Sequence, residues 1–305
     1  MHYPKLTGLI AAPYVALHPD GSLNLGQIEV QARSLVANGV SAAFVCGTTG
    51  ECSSLSVSER MAVAARWREV ADSSLKILVH VGHCCITDSK ALAEHAQHIG
   101  ASGVGCLAPF FFKPSQITHL VDYCAQVAAA CPALPFYYYH IPSMTGVQIP
   151  AAEFLRCGGD RIPNLAGVKF TYENLMDFAE CHQFAGGRYD ALFGRDEMLL
   201  AGLALGARGA IGSTYNFAAP VYHRILEAFA RGDLDAARAG QARANAMLAT
   251  FLKWGGLPAG KAMMRLIGID CGPTRLPLPN LSPEMETALA ADLERAGFFQ
   301  FRSTL

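Results

Sequence analysis

An α/β architecture, a closed (β/α)8 TIM barrel with a C-terminal helical extension, is what the sequence predicts, and three observations carry the prediction. Eight short β-rich runs alternate strictly with helix-like segments, a pattern that demands a parallel sheet with crossover helices and, at eight units, suits closure. No G-x-G-x-x-G opens the first helix, which weighs against a doubly wound sheet. A chain of 305 residues is long for one ordinary domain but fits one barrel with helices attached.

Leu6 to Ala12 is read as the first strand, followed by a helix near Leu25 to Asn38. The stretch from Leu6 to Leu17 imitates a signal-peptide core behind Lys5, but Pro13 interrupts it and no clear small-x-small cleavage site follows. Ala42 to Cys46 and Leu75 to Val81 are the next strands, with helices near Ser56 to Ala71 and Thr87 to Ile99. Ser56 precedes Glu59 at capping-box spacing, and Gly39 and Gly100 sit where helices should stop. Gly103 to Leu107 precedes a helix from Pro114 to Ala130, and Pro135 to Tyr139 precedes a short one near Pro150 to Arg156. The sixth strand is Leu165 to Lys169, then helix Glu173 to Cys181, strand Asp190 to Phe193, helix Glu197 to Leu205, strand Gly209 to Ile211 and a helix from Ala218 to Arg231. Residues 1–231 therefore make the barrel. Residues 232–305 read as helices only, Asp233 to Trp254, Lys261 to Ile267 and Ser282 to Ala296, with a Pro-rich stretch from Gly272 to Pro279. Their apolar positions need the barrel or a neighbouring subunit for burial, so they form an appendage within a single structural unit.

Hydrophobic residues make up 51% and charged ones 16%, enough for a large core and far from a disordered composition. A net charge of -1 without Lys/Arg runs gives no reason to expect nucleic acid or an anionic membrane as partner. Uncharged stretches such as Cys124 to Ala152 are punctuated by Pro132, Pro135, Pro142 and Gly146, so none reads as a membrane span. Ten cysteines lie scattered without a C-x-x-C pair, which points to reduced thiols and a cytoplasmic location rather than a zinc ribbon or disulfide framework.

In such barrels the chemistry gathers at the C-terminal strand ends. The sixth strand ends on a single amine: simple alternation puts Leu165, Gly167, Lys169 and Thr171 on one face and Val168 and Phe170 on the other. If that face is interior, lost hydration lowers the lysine pKa and frees the amine to attack a carbonyl; if not, Lys169 caps a strand end in water. The second strand ends in Gly47-Thr48-Thr49-Gly50-Glu51, whose hydroxyls and amides can hold a carboxylate, although Thr-Gly turns are common. The fifth ends in Tyr137-Tyr138-Tyr139-His140-Ile141-Pro142, where a phenol can shuttle a proton or merely pack. The seventh ends in Gly194-Arg195-Asp196-Glu197 and the eighth in Gly212-Ser213-Thr214-Tyr215-Asn216. Asp196 and Glu197 suit polyhydroxyl binding or simple helix capping. A metal-dependent alternative lies in His80, His83, Cys84 and Cys85 after the third strand with His95 and His98 on the next helix, but a Schiff-base lysine makes a metal unnecessary.

Gly47 to Glu51, Tyr139-His140-Ile141-Pro142, Gly167-Val168-Lys169 and Gly212 to Asn216, in this order and spacing, resemble the dihydrodipicolinate synthase and N-acetylneuraminate lyase family of pyruvate-dependent class I aldolases. The resemblance runs from about Leu6 to Pro279. It implies that Lys169 forms an imine with pyruvate, that Tyr139 shuttles the proton together with Thr48, and that Thr48 and Thr49 bind the pyruvate carboxylate. It implies no cofactor and no metal, a small-molecule substrate, and a homotetramer built as a dimer of dimers. Met144 stands where the synthases carry an arginine for their aldehyde's carboxylate, and a thioether cannot replace that ion pair. The segments Gly194 to Glu197 and Gly212 to Asn216 are similar to the sialic acid lyases, in which Thr171, Gly194, Asp196, Glu197 and Ser213 would meet the sugar hydroxyls. The implied reaction is reversible cleavage of N-acetylneuraminate to N-acetylmannosamine and pyruvate. Related activities on a 2-keto-3-deoxy sugar acid, a dihydrodipicolinate synthase-like reaction, or a catalytically weakened sugar-acid binder are the alternatives. Two residues depart from the family: Phe111 replaces a tyrosine that reaches across a dimer interface, and Arg195 stands where a tyrosine is common.

Overall fold

Eight parallel strands close into a barrel in the computed structural model, which describes residues 3–305. The first half of the chain supplies β1 (Gly8–Ala11), α1 (Gln27–Ala37), β2 (Ala42–Val45), α2 (Val57–Val70), β3 (Lys76–His80), α3 (Ile86–His98), β4 (Gly103–Leu107) and α4 (Ile117–Ala129). The second half of the barrel adds β5 (Phe136–His140), α5 (Pro142–Thr145), α6 (Ala151–Gly158), β6 (Leu165–Phe170), α7 (Leu175–Gly187), β7 (Asp190–Phe193), α8 (Leu199–Ala204), β8 (Gly209–Gly212) and α9 (Tyr215–Ala230). Closure is direct: β1 pairs with β2 on one side and with β8 on the other, from Gly8 opposite Gly209 to Ala11 opposite Gly212.

Alternation along the strands separates two cores. Ile10, Phe44, Leu78, Tyr139, Leu192 and Ile211 point inward and fill the barrel. Leu9, Val45, Val79, Val104, Phe170 and Phe193 point outward and pack beneath the helices. Phe44 occupies the middle because β4 offers Gly105: a Cβ there would lie 2.5 Å from the Phe44 ring.

The simple alternation expected for the sixth strand is broken at one place. Phe136 pairs with Leu165 but Tyr137 pairs with Gly167, so Ala166 is an extra, bulged residue. The bulge resets the phase by one position: Leu165 joins the outer core and Ala166 the inner one, contrary to the shared face predicted for Leu165 and Lys169. Downstream the expected phase holds, with Val168 and Phe170 outward.

Helix boundaries follow local chemistry. The capping box forms, with Ser56 Oγ accepting from Glu59 N at 3.2 Å and Glu59 Oε2 accepting from Ser56 N at 2.8 Å. The helix predicted from Glu197 instead opens as a 3-10 turn over Asp196–Met198, because the Asp196 side chain is tied to Thr214 and its carbonyl to Gln241. α9 begins at Tyr215, ahead of the predicted Ala218, and kinks at Ala218 two residues before Pro220. Beyond it lie α10 (Leu234–Lys253), α11 (Leu257–Leu266) and α12 (Pro283–Arg295). α10 packs along α9, burying Ala237, Ala244 and Met247. Among the described residues no helix is long and apolar enough to cross a membrane.

Candidate active site

All nine candidate residues named from the sequence, Thr48, Thr49, Tyr139, Lys169, Thr171, Gly194, Asp196, Glu197 and Ser213, line one cavity of about 230 Å³ at the C-terminal mouth of the barrel. Five different strand ends contribute, which is why residues more than 160 positions apart in sequence meet.

Lys169 stands near the end of β6, 4% exposed, with Nζ 3.9 Å from the Phe44 ring centroid and 4.0 Å from that of Tyr139. Burial between these rings pushes its pKa from 10.5 down to about 7, while the Asp196 carboxylate pulls the other way. A large share of the amine is therefore unprotonated at neutral pH, which a nucleophile requires. Tyr139 meets Phe44 and His80 edge-on, at 5.5 Å and 81° and at 5.7 Å and 89°. Its hydroxyl lies 3.2 Å from Thr48 Oγ1. Burial raises this phenol to about 12 against the opposing bond from Thr48, so it is neutral and able to pass a proton on only by receiving another.

The polar rim comes from β7 and β8. Asp196 is buried and accepts from Thr214 Oγ1 at 2.6 Å and from Thr214 N at 3.1 Å. Burial lifts its carboxyl to about 6 even though Thr214 opposes the shift. The carboxylate lies flat against β8 because Gly212 has no side chain: a Cβ there would sit 1.9 Å from Asp196 Oδ1. Glu197 is partly exposed and pairs with Arg195 Nη1 at 3.3 Å, while the other arm of Arg195 holds Glu173. Arg195 itself lines the cavity, so this departure from the family pattern bears directly on the site.

Several neighbours were not legible in the sequence. Phe44 forms a wall of the lysine pocket, and Leu248, Phe251 and Leu252 of α10 line the cavity from the C-terminal helices. Only Thr214, inside a motif already singled out, carried a signal. Two residues singled out from the sequence lie outside this cavity. Met144 does not line this cavity; it is 60% exposed on α5 and lines a neighbouring groove of about 320 Å³ with Phe110. Phe111 is 74% exposed and stacks edge-on with Phe112 outside the cavity. The histidines considered as metal ligands are dispersed: His80 is buried with Nδ1 2.9 Å from the Cys46 carbonyl, and His83 faces Asp88 at 3.5 Å. Among the described residues no three His, Cys, Asp or Glu side chains converge.

Comparison with known proteins agrees with this geometry. A model of the Dihydrodipicolinate synthetase family matches residues 5–296. The N-acetylneuraminate lyases of Rattus norvegicus and Homo sapiens are 43% and 42% identical, each alignment covering 99% of this chain and 96% of the relative. Among solved structures, Proteus mirabilis N-acetylneuraminate lyase superposes with a TM-score of 0.94 at 42% identity, covering 97% of this chain and 100% of that one. The native N-acetylneuraminate lyase (sialic acid aldolase) of Aliivibrio salmonicida gives 0.95 at 41% identity, over 97% and 98%. A match of this length, on a barrel whose strand ends bring a near-neutral lysine to a phenol, makes the chain a member of the Dihydrodipicolinate synthetase family.

Proposed function

We propose that this chain is a class I aldolase, a carbon-carbon lyase that reversibly cleaves N-acetylneuraminate to N-acetylmannosamine and pyruvate through an imine on Lys169. The carrying observation is the amine itself, buried yet held near 7, in a cavity shared with the other eight candidate residues. Near-full-length similarity to N-acetylneuraminate lyases supports the choice of sugar acid over the related 2-keto-3-deoxy acids.

In this reading Thr48 and Thr49 receive the substrate carboxylate, and Lys169 Nζ attacks the C2 ketone of the open-chain sugar. Loss of water from the carbinolamine leaves an iminium that accepts the C3–C4 bond electrons and becomes an enamine. The C4 hydroxyl proton moves to Tyr139 as the phenol's own proton passes through Thr48 to the carboxylate, so the neutral phenol is a relay and not a strong base. That proton returns to C3, and water hydrolyses the imine to release pyruvate and restore the amine. Asp196, Glu197, Ser213, Thr171 and the Gly194 backbone face the part of the cavity that the sugar hydroxyls would fill. No cofactor or metal enters this route.

The exposed Phe110, Phe111 and Phe112 beside the Met144 groove support assembly into a homotetramer that covers them. Ten unpaired cysteines support a reducing, cytoplasmic setting. Residues 232–305 are read as an appendage of one structural unit, since α10 both packs on α9 and lines the cavity. The test is pyruvate release from N-acetylneuraminate beside a panel of 2-keto-3-deoxy sugar acids. The highest kcat/KM should belong to N-acetylneuraminate and vanish in Lys169→Ala; a higher value for another acid would reassign the substrate, and binding without turnover would make the chain a sugar-acid binder.

A further inference from the structure

The loop carrying Thr48 and Thr49 turns back on itself, and its last residue faces away from the catalytic cavity. Glu51 closes the turn by donating its backbone N–H to the Thr48 carbonyl at 3.0 Å. It does so at φ 54° and ψ 37°, the left-handed region that a glutamate occupies only at a steric penalty. Such a conformation persists where the surroundings hold it.

The groups that hold it come from the C-terminal quarter of the chain. Lys261 Nζ, on α11, lies 2.7 Å from Glu51 Oε1, and the two side chains are 2% and 1% exposed. Arg275 donates its backbone N–H to Glu51 Oε2 at 2.9 Å. Lys261 Nζ also donates to the Pro273 carbonyl at 2.5 Å. The Arg275 guanidinium fastens the same loop further along, donating to the Ser54 carbonyl at 2.9 Å and to Glu59. A dry ion pair is a poor stabiliser compared with apolar residues of the same volume, so stability alone does not account for it. Its geometry does: both carboxylate oxygens are engaged, each by the C-terminal segment, and the carboxylate is attached one turn from the two threonines.

We propose that Glu51 and Lys261 form a positioning pair for the aldol reaction, through which the C-terminal segment fixes the Thr48–Thr49 turn where the carboxylate of a 2-oxo acid docks. The inference rests on the reading of Thr48 and Thr49 as that cradle. Neither side chain of the pair lines the cavity, so both act through the turn. Loosening it should weaken recognition of the carboxylate while leaving the amine chemistry of Lys169 intact.

The experiment compares pyruvate with methyl pyruvate, which keeps the ketone and removes the carboxylate charge, as partners for borohydride trapping on the full-length protein. The proteins are the wild type, Glu51→Gln, and the double variant Glu51→Gln/Lys261→Met, in which no buried charge is left unpaired, so that it folds even if the single variant does not. The wild type should show a lower half-saturating concentration for pyruvate than for its ester. In the variants the pyruvate value should rise by about tenfold or more, with the ester value and the maximal trapping rate nearly unchanged, as a turn displaced by a fraction of an ångström would produce. For cleavage KM should rise and kcat should fall with it, since Thr48 also relays the Tyr139 proton, so the maximal trapping rate, which needs only the amine, is the readout that stays level. A wild type without any preference for pyruvate overturns the cradle and the proposal with it; trapping of neither ketone overturns the imine reading on which both stand. A wild-type preference that survives unchanged in the folded double variant overturns the positioning role alone.

Discussion

The pH dependence of imine formation follows directly from where Lys169 sits. In water a lysine near 10.4 leaves only about 4 amines in 10,000 unprotonated at pH 7. Burial between Phe44 and Tyr139 brings Lys169 to about 7, where roughly half the amines are free, a gain of about 1,000-fold in nucleophile. Measured as kcat/KM for pyruvate release, or as the initial rate of borohydride-trapped adduct at low pyruvate, activity should climb about tenfold per pH unit below pH 6 and flatten above about pH 8. Because kcat/KM reports the free enzyme, the limb belongs to the empty site and not to the bound complex. An acid limb still climbing through pH 9 would show a solvated, ordinary lysine and refute the desolvation argument.

Three further outcomes test separate parts of the account. Asp196→Asn removes the carboxylate that holds the Lys169 pKa up, so the acid limb should move to lower pH while the KM for the sugar acid rises; a limb moving to higher pH would contradict the assigned electrostatics. Tyr139→Phe removes the relay without emptying the pocket, so pyruvate should still be trapped while kcat for cleavage falls by about 100-fold to 10,000-fold; equal loss of trapping and cleavage would argue for a packing role only. Stability supplies the third. Since folding lowers the Lys169 pKa, the unfolded chain binds more protons between about pH 7 and 10.4, and the stability penalty from this group is full below 7 and fades as pH rises toward 10.4. Lys169→Met should therefore raise the urea midpoint at pH 7, by a few kcal/mol in stability, with the gain shrinking by pH 9.5; a pH-independent difference would contradict it.

Much of this site was legible because each strand of a (β/α)8 barrel delivers its C-terminal residues to one mouth, so alternation alone told which loops meet. The loops that carry Thr48, Tyr139, Lys169, Asp196 and Ser213 are brought together by that rule, whereas the choice of Tyr139 among three tyrosines and of Thr48, Asp196 and Ser213 within their loops rests on the family resemblance. What stayed hidden depends on contacts without sequence periodicity. The bulge at Ala166 inverts Leu165 because strand register is set by packing against β5, and one residue of slip reverses every side chain upstream. The 3-10 turn at Asp196 forms because Thr214 and Gln241, both distant in sequence, hold the residue on two sides. Met144 follows Tyr139 by only five positions yet lines the neighbouring groove, where Thr48 is the residue shared with the site. The contributions of Leu248, Phe251 and Lys261 come from helices whose docking on the barrel no local pattern specifies.

The most direct measurement is peptide mass spectrometry after incubating the protein with N-acetylneuraminate and borohydride. The account predicts one reduced pyruvyl adduct, on Lys169, together with free N-acetylmannosamine. An unmodified Lys169 in folded, turning-over enzyme, or an adduct on a different lysine, would contradict it.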